Sequence, residues 1–255
     1  MTRNALMVVA LSLAVSPAVV RAAGSQGPLK VYVTAAQVEA RKDVDDATKN
    51  ALKAKRDQAR EARKTLEKQL KEQLGKKRES WPPAKDDELY AAEEAEALAE
   101  AAYEYRKIDP KGLADSVKDV SESIEGKGIA GRKDRVVLAT SAADADLVLE
   151  VVARRSGKTL PTQFKADRCF ILFKVLPGKK LKAAAFSKVP ANYRPKRFGM
   201  WVWTIARPKA GQPSFTFESY NGGGSEFGCQ GAAANAAAGA IDKFIEDNHA
   251  ILTTR

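Results

Sequence analysis

Between residues 153 and 209 this chain carries fifteen lysines and arginines against a single acid, Asp167, whereas the rest, once an amino-terminal leader is set aside, sums to −5. Such a local excess points to one kind of chemistry. Clustered cations attract polyanions by displacing their counterions, with an affinity that falls steeply as salt rises. Lys179, Lys180, Lys182, Lys188, Arg194, Lys196 and Arg197 share one stretch between apolar runs and are the candidate anion-binding residues. Interleaved aromatics, among them Phe164, Phe170, Phe173, Phe186, Tyr193, Phe198, Trp201 and Trp203, would add stacking that salt does not screen. Anionic lipid headgroups and acidic glycan are the favoured partners, with nucleic acid less favoured. The competing reading is that the aromatics alternate along buried strands while the charges keep a loop soluble.

The other groups with chemical potential are few. The chain has one histidine, His249, in the last turn of an expected helix, where a cation complements the helix dipole. No second histidine stands beside it for acid–base work. Asp144, Asp146 and Glu150 flank an expected strand, and glycoside hydrolysis needs only two carboxyl groups, although carboxylates of this kind are more often simply exposed. The run NGGGSEFGCQG, Asn221 to Gly231, leads into a helix whose first N–H groups could cradle an anion. It lacks the GK[ST] ending of a P-loop. Ser225 also misses a GxSxG elbow, because Phe227 stands where the last glycine is needed, so a flexible connection is the other reading. With no catalytic constellation, metal ligand set or cofactor motif, the expectation is a non-enzymatic binding or structural module. The alternative is a carboxylate-based hydrolase acting on an envelope or extracellular polymer.

Two cysteines, Cys169 and Cys229, bear on the compartment. An even count in an exported chain favours a bridge, and two buried thiols are the alternative. Export itself is read from the start of the chain. Arg3 lies in a short basic region, Ala5 to Val20 is apolar except for Ser12, Ser16 and Pro17, and Val20 and Ala22 suit cleavage after Ala22. The run is too short to span a bilayer, so no transmembrane segment is expected in the mature chain. The expected address is the periplasm or the exterior.

The elements that must position these groups follow from periodicity. Length, 255 residues with 44% hydrophobic and 29% charged, fits one or two globular domains. Leu29 to Thr34 alternates as a first strand. From Lys42 to Gly75 apolar residues recur only as a thin helical seam, Leu52, Ala59, Ala62, Leu66, Leu70 and Leu74, and Gly75 with Pro82-Pro83 ends it. Asp86 to Lys107 is a second, Ala- and Glu-rich helix. Residues 41–80 carry net +6 and residues 81–107 net −5, which favours antiparallel pairing as a projecting, marginally stable hairpin. Asp109-Pro110 starts a further helix with Leu113, Val117, Val120 and Ile124 on one face. Strands are expected at Arg135–Thr140, Asp146–Ala153, Cys169–Leu176, Met200–Ala206 and Ser214–Tyr220, the third of these central because it is apolar on both faces. Pro177 to Gly199 is a long basic loop. A last helix buries Ala237, Ile241, Phe244 and Ile251.

Four of these segments also carry a resemblance. VYVT at Val31 to Thr34, DSVKDV at Asp115 to Val120, ADLVLEV at Ala145 to Val151, and the terminal Ala-rich helix ending in IEDNHAIL resemble an uncharacterised family of exported bacterial proteins. The layout is also similar to small αβ domains of periplasmic outer-membrane lipoproteins and to the TolB amino-terminal region. This resemblance implies a binding module, carries over no catalytic residue, and marks the helical arm as an insertion. The expected fold is α+β: a mixed or antiparallel sheet of five to six strands packed by two or three helices, with an inserted long helical hairpin. The division is a signal peptide at 1–22, a linker and first strand at 23–41, the arm at 42–107, and the remaining αβ domain at 108–255. The arm is also a candidate surface for a protein partner.

Overall fold

The computed structural model describes residues 27–37, 44–107, 110–127, 135–158, 167–181, 183–195, 202–209, 211–221 and 226–253. The expected signal peptide lies outside them, as do Phe164, Lys182, Lys196, Arg197, Phe198, Trp201 and residues 222–225 of the glycine-rich run.

Six strands form one mixed sheet: β1 (Leu29–Ala35), β2 (Val136–Leu138), β3 (Leu147–Lys158), β4 (Asp167–Pro177), β5 (Val202–Ala206) and β6 (Phe215–Asn221), in the order β2-β1-β3-β4-β6-β5. The expected α+β class therefore holds. β1 is parallel to both neighbours, and every other pairing is antiparallel. β2 follows β1 up to Val31, where β3 takes over on the opposite side, so the chain crosses β1 within Ala139 to Asp146. That crossing needs Gly178, because a Cβ there would run into the Ala145 carbonyl.

Register decides which residue meets which. Val151, Phe173, Phe217 and Thr204 form one row across β3, β4, β6 and β5 on the inner face, while Ala153, Leu172, Glu218 and Trp203 form the adjacent row on the outer face. Ile205 shares the outer face with Trp203 by ordinary alternation, while a bulge at Val151/Ala153 brings Ala153 to the same face as Val152 and a second, at Thr204/Ala206, shifts the end of β5. As expected, β4 is central, and its Cys169, Ile171, Phe173 and Val175 are fully buried.

The inner face is covered by α3 (Pro110–Glu122) and α5 (Glu226–Leu252). Proline at the first position of α3 fits the expected start, Leu113 and Val120 are buried on its inward side, and Ile124 is buried in the turn that follows. Ala233, Ala237, Ile241, Phe244 and Ile245 of α5 close the layer. Burying each such large side chain contributes roughly 1.5–3 kcal/mol. The bridge Cys169–Cys229 joins the start of β4 to the start of α5, with Cα atoms 5.4 Å apart.

The stretch after β4 departs from expectation. A short helical turn, α4 (Ala183–Phe186), and Leu181, Phe186 and Val189 bury into the inner core, and the Tyr193 ring packs edge-on against Phe215 and Phe244. Apolar residues among the lysines therefore anchor the described part of this loop to the core.

The hairpin consists of α1 (Asp46–Leu74) and α2 (Pro83–Glu104). Asp45 caps α1 by accepting from the Thr48 N–H at 2.7 Å, and Gly75, with φ of 86°, ends it. The opposite charges do pair across the helices: Arg56 with Glu100, Arg60 with Glu96 and Glu100, and Arg63 with Glu96. At the tip, Trp81, Leu70 and Leu89 form a separate small core, and the Trp81 indole N–H donates to the Gly75 carbonyl. The hairpin is not simply a projecting arm, however. α2 lies on the outer face of the sheet, where Tyr105, Ala153, Leu172 and Ile205 cluster with Ala97 and Ala101.

Candidate functional site: a charge-compensated cleft between arm and sheet

On α2, Tyr90, Glu93, Glu94, Ala97, Ala101 and Glu104 recur at three- and four-residue spacing and so share one face. That face looks onto β5, Glu218 of β6 and Arg155 of β3, and the two walls enclose a cleft of about 690 Å³. Arg60 and Arg63 of α1 reach its rim. Cavities of this size are the usual range for small-ligand sites, roughly 300–1,000 Å³.

Six glutamates line the cleft, and each meets an arginine. Glu93 takes Arg78 at 2.7 Å and Arg194 at 2.8 Å; Glu94 accepts from the backbone and the guanidinium of Arg207, both at 2.9 Å. Glu96 takes Arg63 at 2.6 Å, Glu100 takes Arg60 at 3.1 Å, and Glu104 lies 3.6 Å from Arg155. Glu218 accepts from the Tyr105 hydroxyl and from Arg155 at 3.4 Å. Among the described residues Arg60, Arg63, Arg155, Arg194 and Arg207 face the cleft, one fewer than the glutamates.

Two local environments stand out. The Tyr90 ring lies between the guanidinium groups of Arg194 at 3.9 Å and Arg207 at 4.2 Å, and its buried hydroxyl has no hydrogen-bond partner among the described residues. Arg155 lies 3.6 Å over the Phe170 ring, which stacks on Tyr220 at 5.2 Å. Burial works against the Arg155 charge, yet Glu218, Tyr105 and Glu104 outweigh it and hold the guanidinium more firmly protonated than usual. Burial, reinforced by Glu218, pushes the Tyr105 hydroxyl well above its ordinary range, so it acts as a neutral donor. Burial also raises Glu100, helped by Glu104 and opposed by Arg56 and Arg60. On the floor, Ile205 is apolar and buried, and Trp203 is 52% exposed.

The residues singled out in the sequence divide among different places. Lys179 and Lys188 are exposed. Lys180 pairs with Asp144 at 2.9 Å, and this contact, aided by Ser141, holds the Asp144 carboxyl below the usual range. Arg194 belongs to the cleft. Asp146 accepts from the Lys30 backbone N–H at 2.8 Å and Glu150 faces Lys174 at 3.8 Å, so the three carboxylates weighed as an acid–base set each have a separate partner. His249 is exposed near the end of α5. Phe173 and Phe186 are core residues and offer no stacking surface, whereas Trp203 does. Among the described residues no group of three His, Cys, Asp or Glu side chains is placed to hold a metal ion, and no helix is long and apolar enough to cross a membrane.

Sequence reasoning missed the cleft, although two signals were present. The −5 of residues 81–107 and the excess positive charge of residues 153–209 are complementary, and they meet at Glu93–Arg194, Glu94–Arg207 and Glu104–Arg155. Part of what reads as a basic block awaiting an outside partner is one half of an internal interface. Comparison with family models, with curated proteins and with solved structures returned no match.

Proposed function

We propose that this chain is an exported bacterial module that acts by binding, without catalysis, through the cleft between its helical arm and the outer face of its sheet. The observation that carries this reading is the pairing of all six described cleft glutamates with arginines, because an ion pair with a guanidinium favours the charged carboxylate and so disfavours a general-acid role. Export to the periplasm or beyond is supported by the leader-like start and by the disulfide, which persists in oxidising compartments. Exposed Lys179 and Lys188 support an additional contact with anionic headgroups or acidic glycan. One observation favours the hydrolase alternative, namely the raised carboxyl of Glu100 beside Glu104.

The two readings separate in one assay. The full chain is expressed with its own leader in a Gram-negative host, recovered from the periplasmic extract, and incubated with peptidoglycan, chitin and heparan sulfate while reducing ends are counted. The binding reading expects cleavage after Ala22 and no release above buffer. Release that disappears in Glu100→Gln would overturn it in favour of the hydrolase.

A further inference from the structure

The balance of charge in the cleft constrains what can enter it. An anionic ligand would approach six glutamates, and a cationic one would displace or face five arginines, so either would leave a buried charge poorly compensated. A wholly apolar segment fails as well, since it would strip water from the Arg–Glu pairs and return no hydrogen bonds. The fitting partner is uncharged, dense in groups that both donate and accept, and has one apolar face. Donor and acceptor capacity is what the walls provide, because each arginine offers N–H groups beside a carboxylate oxygen. An apolar surface is what the floor provides, where Trp203, 52% exposed, shares the outer face of β5 with Ile205. A large aromatic left half in water at the floor of a polar cleft marks a contact surface.

We propose that the cleft binds an uncharged oligosaccharide, with Trp203 as the platform for the C–H face of a pyranose ring and the flanking Arg–Glu pairs reading its hydroxyl groups. This assignment rests on the binding-module reading and names the ligand class. The sugar face displaces water from the indole, and each ring hydroxyl donates to a glutamate while accepting from an arginine. Attraction is therefore short-range and insensitive to salt, in contrast to a polyanion on the basic loop.

Titration calorimetry with the mature chain tests it, using chitohexaose, cellohexaose and maltohexaose as neutral probes, a heparin hexasaccharide as an anionic one, and phosphatidylglycerol vesicles. At least one neutral hexasaccharide binds. Its Kd rises by about tenfold or more in Trp203→Ala and recovers in part in Trp203→Phe. The same Kd changes less than about twofold between about 50 and about 500 mM NaCl. Because Trp203 is exposed, the melting temperatures of the variants stay close to the parent and exclude misfolding. Failure of all three neutral probes, or binding that Trp203→Ala leaves unchanged, overturns the saccharide assignment. Binding of heparin or vesicles alone also overturns it but leaves the binding-module reading standing. Cleavage of a bound neutral probe, in contrast, keeps the ligand class and removes the non-catalytic reading.

Discussion

The two faces of the sheet are covered by different physics. The inner face meets α3 and α5 through an apolar layer in which Phe173, Phe186, Phe215, Phe217 and Phe244 are all but fully buried, with a disulfide at one end. Among the described residues the outer face meets α2 through a small buried apolar cluster, Tyr105 at the end of α2 with Ala153, Leu172 and Ile205 of the sheet, and through arginine–glutamate pairs. Apolar burial is non-directional and fills space, so the inner interface closes completely. Charge pairs need defined geometry and tolerate water at their edges, so the outer interface leaves a cleft. The same sheet thus supplies stability on one side and an accessible site on the other.

The sharpest way to break this contrast is to remove an inner ring. Phe244→Ala deletes the ring that touches Phe186, Tyr193, Phe215 and Phe217, and chemical denaturation should show a loss of about 3–5 kcal/mol. A loss near zero would mean that the inner face is not the seat of stability. Deleting Lys42 to Lys107 and bridging with a Gly/Ser linker tests the other side. The remaining chain should still melt in one cooperative step, at a temperature lowered less than by Phe244→Ala, because only the small outer cluster is uncovered. Loss of cooperativity would place the arm within the core.

A smaller effect is expected from Tyr105→Phe, which removes the hydroxyl bound to Glu218 and should cost about 1–2 kcal/mol at neutral pH. Its pH dependence sharpens the assignment. The folded-state pKa of Tyr105 is raised above the ordinary value, so its contribution is complete below about pH 10 and is lost above it, where the unfolded chain gives up a proton that the folded chain retains. Tyr193, raised by burial and by Asp247, follows the same sign. Stability should therefore decline as pH rises beyond 10, and the slope should be shallower in Tyr105→Phe. An unchanged slope would show that the hydroxyl is not buried as described. The smallest effect on stability concerns Lys179→Gln with Lys188→Gln. Both side chains are exposed, so melting should not move, while any binding to anionic vesicles should weaken and lose part of its salt dependence. Equal vesicle binding by parent and variant would leave these charges a solubilising role only.

Much of this molecule was legible from local pattern. The alternation of Leu29, Val31 and Val33, the spacing of Leu113, Val120 and Ile124, the stop at Gly75 and the apolar run of β4 each follow from backbone geometry within one element, and each lies where expected. The antiparallel hairpin was legible from its opposite charges. What could not be read was where the hairpin lies, since sequence separation carries no information about which distant surfaces touch. Glu94 and Arg207 are 113 positions apart, and only the docking of α2 on the outer face joins them. The loop after β4 shows the same limit, because Phe186 and Tyr193 look like interleaved stacking aromatics until the core they fill is present.

The sequence by itself determined most of the elements, an α+β plan of five to six strands and the sign of charge along the chain, because periodicity and composition act over a few residues. Tertiary structure alone decided that part of the basic block pairs with the acidic helix, that the disulfide closes, and that Trp203 is left half exposed at the floor of a cleft. Those outcomes depend on strand register and on helix docking, where a shift of one residue would send Trp203 to the opposite face of the sheet.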